Sequence, residues 1–173
     1  MLHIQHFTFN PFQENTYVVY NDLKEAFIID PGCYTRIEQK QLLECIKDQA
    51  LTPKGLLNTH CHLDHVFGNQ LIADTFNLPA IFHKNEQVVL DRLAEASTKW
   101  GIPCDSYIGA IQYIENGDTL SLGEEKFSIL LTPGHSPGSV CFYHKEQSII
   151  IGGDLIFKDG VGRTDLPGSN PND

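Results

Sequence analysis

Apolar and polar positions alternate in short runs where the chain begins. HIQHFTF (3–9) and NTYVVY (15–20) predict two strands joined by a turn over NPFQE, and EAFIID (25–30) predicts a third, ended by Pro31-Gly32. The period then lengthens: RIEQKQLLECIKDQ (36–49) carries apolar residues at 37, 42, 43 and 46, a helical spacing. TPKGLLNTH (52–60) predicts a strand, VFGNQLIADTF (66–76) a helix, LPAIFHK (78–84) a strand and NEQVVLDRLAEASTKW (85–100) a helix, with a loop over 101–110. Five further strands follow in IQYIE, TLSL, KFSILLT, SVCFYH and SIIIGGD. Strands, then β-α-β-α-β, then strands again predict an α/β protein with helices packed on sheets.

Composition narrows the partners. The 173 residues suit a single domain, and an apolar content of 41% suits a soluble globular one. A net charge of −10 and the lack of any Lys/Arg run argue against a nucleic acid partner. Cys33, Cys45, Cys61, Cys104 and Cys141 are odd in number and include no C-x-x-C pair, which points away from a disulfide framework and toward a reducing compartment. The first residues have no basic start or continuous apolar stretch, so the expectation is a cytoplasmic protein with no export signal and no membrane span.

The chemistry is concentrated in LLNTHCHLDHVFG (56–68). His60 and His62 lie two apart at the end of a predicted strand, a spacing that puts both on one face. Asp64 and His65 follow after the chain has turned, so they can approach from another side. Three imidazoles and a carboxylate suit zinc, and also iron or manganese. Histidines this crowded repel one another when protonated and need a reason to stay together. Two distant segments offer more ligands. LLTPGHSPGSV (130–140) places His135 in a Gly/Pro-rich loop, and SIIIGGDLIF (148–157) ends an apolar strand on Asp154, a carboxylate that is costly there unless paired or metal-bound. FIIDPG (27–32) places Asp30 similarly, although Asp-Pro-Gly is also a good turn sequence.

With THCHLDH at 59–65, TPGHSPGS at 132–139, GGD at 152–154 and IIDPG at 28–32 in this order, the sequence resembles the metallo-β-lactamase superfamily. The resemblance implies an αββα four-layer sandwich with a metal site at one edge, between two sheets. It implies that His60, His62 and His135 bind one metal, that Asp64 and His65 bind a second, and that Asp154 bridges the two. Asp30 would stand behind the ligands and hold their loop, and Cys61 would point away. Two divalent ions, zinc with iron or manganese as alternatives, are the implied cofactors.

GGDLIFKDGVGRTDLPGS (152–169) is similar to two glutathione-thiol branches of that superfamily. One is the glyoxalase II type, which hydrolyses S-2-hydroxyacylglutathione and includes short bacterial forms. The other is persulfide dioxygenase, in which residues matching His60, His135 and Asp154 would hold one iron. The favoured expectation is the thioester hydrolase, with Asp64 orienting the attacking hydroxide. Lactone hydrolysis or a non-catalytic metal-binding module is the third reading. Arg163, with Asp165, is a candidate anchor for a substrate carboxylate, the alternative being an ion pair between Arg163 and Asp165 or Asp159. A secreted β-lactamase fits less well without an export signal. The superfamily resemblance also implies one more histidine beyond Asp154, and the sequence ends at SNPND before any such segment. The expectation is a native protein a few tens of residues longer, with one metal only if that histidine is truly absent.

Overall fold

The computed structural model describes residues 1–173. Two sheets carry the fold. The first has six strands in sequential order: β1 (Leu2–Phe9), β2 (Glu14–Asn21), β3 (Glu25–Ile29), β4 (Thr52–Leu57), β5 (Ala80–His83) and β6 (Ile111–Ile114). β1, β2 and β3 pair antiparallel, and β3 to β6 run parallel. The second sheet is antiparallel in the order β10-β9-β8-β7, from β7 (Thr119–Leu122), β8 (Glu125–Leu131), β9 (Val140–His144) and β10 (Ile149–Ile151). A small hairpin, β11 (Ile156–Phe157) and β12 (Gly160–Val161), follows.

The middle strands of the first sheet are apolar at nearly every position because both faces are covered. Val18, Ile28, Leu56 and Phe82 point to one side, against Leu42 and Ile46 of helix α1 (Arg36–Asp48) and other helical residues. Val19, Ile29, Leu57 and Ile81 point to the other, against Phe127, Ile129, Val140 and Phe142 of the second sheet. Successive side chains alternate across a strand, so one run of sequence feeds two cores. α1 starts at a reciprocal cap: Thr35 Oγ1 accepts from Glu38 N–H, and Glu38 accepts from Thr35 N–H. All the helical residues of the two cores lie in the first, so the layers run helix, sheet, sheet. That matches the expected sandwich through three of its four layers; these residues place no helix in the core under the second sheet.

Three predicted elements are shorter or broken, and the strand expected over 148–154 is only β10, with Asp154 beyond it in a 3₁₀ turn at Gly153–Leu155. β4 ends at Leu57, not at 60, because Asp30 takes the next free donor, the N–H of Thr59. The helix expected over 66–76 is two helices, α2 (Leu63–Val66) and α3 (Asn69–Phe76). Between them Gly68 spends its N–H on the carbonyl of Pro31, and a side chain there would run into Cys33 and Pro31. The helix expected over 85–100 is a 3₁₀ turn at Lys84–Glu86, α4 (Gln87–Leu90) and α5 (Leu93–Trp100), with Arg92 N–H bonded to Val89. All five cysteines are free thiols. No helix is long and apolar enough to cross a membrane.

Candidate metal centre

Four loops meet at one edge of the sandwich, leaving β3, β4, β8 and β10. They deliver Asp30, the 58–62 segment, His135 and Asp154. The imidazole rings of His60, His62 and His135 stand 4.7–4.9 Å apart and nearly perpendicular to one another, and the His65 ring lies 4.0 Å from that of His60. One nitrogen from each of His60, His62 and His135 fits within a 4.8 Å sphere of mutual distance, and so do donor atoms of His60, His65 and Asp154. Asp154 sits between the groups, with one oxygen 3.3 Å from His65 Nε2 and the other 3.5 Å from His135 Nε2. Asp64, in the first turn of α2, is 3.6 Å from His65 Nε2. His60 and His62 reach this point from a loop; they do not share a strand face.

Hydrogen bonds fix which nitrogens keep a lone pair. Thr59 Oγ1 donates to Asp30 (2.6 Å), so toward His60 Nδ1 (3.1 Å) it can only accept. His60 therefore carries its proton on Nδ1, and its buried Nε2 is left without a partner. His135 Nδ1 donates to the carbonyl of Arg163 (2.7 Å), which leaves Nε2 free toward His62 Nδ1, 2.9 Å away. Burial, helped by the neighbouring imidazoles, pushes His60 well below the ordinary histidine range and His62 down to about 3. Both are neutral near pH 7. Burial opposes charge on His65 too, but Asp64, Asp30 and Asp154 outweigh it and hold its pKa well above the usual value. Burial raises Asp64. Asp154 is lowered: its burial is outweighed by His65, His135 and His62.

An unpartnered, fully buried imidazole nitrogen is expensive unless something occupies it. Neutral imidazoles converging beside an ionised carboxylate form a donor set for a divalent cation. The residues fit the metals that the sequence implies. Loading the protein with zinc at about 100 times its Kd is expected to stabilise it by about 2.7 kcal/mol. That is a rise in Tm of roughly 5–10 °C for a chain this size. Differential scanning calorimetry with and without a chelator measures it, and an unchanged Tm would sink the assignment.

Two buried carboxylates escaped the sequence reading. Glu86, in the 3₁₀ turn after β5, accepts from Cys61 N–H (2.7 Å), Ser136 Oγ (2.6 Å) and Gly138 N–H (2.6 Å). Glu14, at the start of β2 and read as part of a turn, faces His65 Nδ1 at 3.9 Å behind Asp30, which lies at 3.1 Å. Neither sits in a motif; their only signal is an acidic residue beside an apolar strand. Asp30 itself is fully buried with a left-handed backbone (φ 49°) and holds both donors of Thr59. Cys61 is buried and its N–H is held by Glu86, away from the donor groups.

The centre floors a cleft of about 700 Å³. Phe12 and Trp100, packed edge to face, and Val88, Val89 and Leu93 line it with Phe157, Val161 and Leu166. Arg92, Lys99 and Arg163 also line it. Arg163 makes the two-pronged pair with Asp165 (2.6 and 2.7 Å), which holds Asp165 at about 2. Its backbone orients His135, a role its residue type does not reveal.

The chain is 35% identical over 159 residues to the hydroxyacylglutathione hydrolase GloC of Haemophilus influenzae, covering 90% of this chain and 73% of that protein. It superposes on the BLEG-1 B3 metallo-β-lactamase with a TM-score of 0.88 at 36% identity, over 98% of this chain and 80% of that one. On TTHA1623 in a di-iron-bound form the TM-score is 0.85 at 33% identity, over 97% and 80%. The model of the metallo-β-lactamase superfamily matches residues 9–173, and the chain belongs to that superfamily.

Proposed function

We propose that the protein is a metal-dependent thioester hydrolase acting on an S-2-hydroxyacylglutathione or a closely related thiol ester. The observation that carries the reading is the placement of Asp154 between His65 and His135, at the floor of an apolar cleft whose wall bears three cations. His60, His62 and His135 would hold one divalent ion, Asp64 and His65 a second, with Asp154 shared. Such ions acidify water and polarise a carbonyl, which provides a nucleophile at neutral pH. The chain's own residues do the rest. The apolar walls exclude bulk water from the acyl group. Asp64, which lines the cleft 3.6 Å from His65 Nε2, would orient the attacking water and take its proton. A C–O bond forms, the C–S bond breaks, and the proton passes on to the thiolate, which at a thiol pKa near ~8.5 leaves without a dedicated acid. The products are a 2-hydroxy acid and a free thiol. GloC supports this choice of ester.

Release of thiol from S-2-hydroxyacylglutathione by the zinc- or iron-loaded protein, followed with a chromogenic thiol reagent, tests the reading. No release from fully loaded, folded protein would end it. Oxygen uptake with glutathione persulfide would instead support the one-iron dioxygenase, and opening of a chromogenic cephalosporin would support the lactam hydrolysis suggested by BLEG-1. Arg163→Ala is expected to raise KM about 10-fold with kcat nearly unchanged, the pattern of lost binding that is equal in ground and transition states. An unchanged KM would reduce Arg163 to its pairing with Asp165.

A further inference from the structure

Glu86 lies outside every motif, yet it touches both histidine-bearing loops. Its carboxylate is fully buried, with no Lys or Arg paired to it. One oxygen takes the N–H of Cys61, between His60 and His62. The other takes the hydroxyl of Ser136 and the N–H of Gly138, flanking the loop of His135. The first loop follows β4 of the six-stranded sheet and the second links β8 to β9 of the other sheet. Gly138 is packed on this carboxylate's own residue: a Cβ there would stand 2.9 Å from Glu86 N and 3.0 Å from Glu86 Cγ. A buried carboxylate satisfied only by donors from two separate loops costs desolvation, so its position is held by what it joins.

We propose that Glu86 is a positioning residue that sets the distance between the His60–His62 loop and the His135 loop, and so the size of the three-nitrogen group. It acts through the loops and touches no ligand atom of that group. The proposal rests on the reading of His60, His62 and His135 as metal ligands. Glutamate suits the role because it accepts at both ends. Glutamine is nearly isosteric, but it accepts at one end only and turns an N–H toward a backbone N–H at the other. One loop is then released while the packing is kept.

The test is metal affinity measured by competition with a chromophoric chelator, together with the absorption bands of the cobalt-substituted protein, for wild type, Glu86→Gln and Glu86→Ala. Loss of a group that orients ligands is expected to weaken binding roughly 10–100-fold, least for Gln, and to move the cobalt bands. Unfolding of the metal-free proteins is followed in parallel. If Glu86→Gln folds with wild-type affinity and cobalt bands, Glu86 is a structural tie and the proposal fails. If Glu86→Ala does not fold, the Gln variant alone decides. A wild-type protein that binds no metal, or that binds it as well after His62→Ala, overturns the ligand reading and this proposal with it.

Discussion

His60→Ala is expected to lower thioester turnover by about 10³-fold or more and to remove about one metal ion per chain, with the fold retained. The two effects have one cause. His60 belongs to both donor groups, the one with His62 and His135 and the one with His65 and Asp154, so its loss damages both. Retention of the fold follows from its bonding. His60 makes one hydrogen bond, from Nδ1 to Thr59, and its Nε2 is unpartnered. Alanine therefore loses that bond and leaves a cavity, and it also removes an unsatisfied polar atom. The net change in the metal-free protein is expected to be about 1–2 kcal/mol. Elemental analysis, turnover and denaturant unfolding of the same preparation check all three. Turnover near that of wild type would overturn the mechanism, and a collapsed apo protein would overturn the bonding argument.

Asp30→Ala is expected to do the reverse: to damage the fold first. Its carboxylate receives the N–H and the hydroxyl of Thr59 and faces His65 at 3.1 Å, all without solvent. Alanine leaves those donors unpaired inside the protein, a loss of about 3–5 kcal/mol. For a chain of this length that corresponds to a Tm lower by roughly 6–20 °C. The variant also adds strain, because Asp30 holds a left-handed backbone (φ 49°) that alanine adopts less readily. Asn accepts that backbone and one donor, so Asp30→Asn is expected to fall between wild type and alanine. Urea unfolding of the metal-free proteins separates the three. A difference below about 1 kcal/mol between wild type and Asp30→Ala would mean that the carboxylate does not hold the loop.

The sequence made the donor set legible because ligand chemistry tolerates few residue types. His60, His62, His65, His135 and Asp154 are conspicuous wherever they stand, and the structure brings their side chains together. The manner of convergence was not legible. Two histidines two apart suggested a strand face, but whether β4 continues past Leu57 depends on Asp30, nearly thirty residues upstream, claiming the N–H of Thr59. The helix break at Gly68 likewise answers to Pro31 across the fold. Glu86 and Glu14 were invisible for the same reason: a buried carboxylate is identified by donors that arrive from distant segments, and local pattern carries no record of them. Strands β1 to β3 and β6 to β9 match their expected ranges closely, since their alternation or apolar runs report burial directly; β10 stops at Ile151, short of the Gly-Gly-Asp expected to end it.

The order of strands gives the centre a history as well as a geometry. All six strands of the first sheet, with His60, His62 and His65, lie within the first 114 residues, whereas His135 and Asp154 arrive with the second sheet. At synthesis rates of ~5–20 residues per second, His135 leaves the ribosome roughly 4–14 s after His65. During that interval the emerging chain holds His60, His62, Asp64 and His65 but neither His135 nor Asp154. The lock between the halves, the Val140 N–H to Thr59 carbonyl bond beside His60, closes afterwards. The group of His60, His62 and His135 is thereby complete only in chains whose second half has already docked.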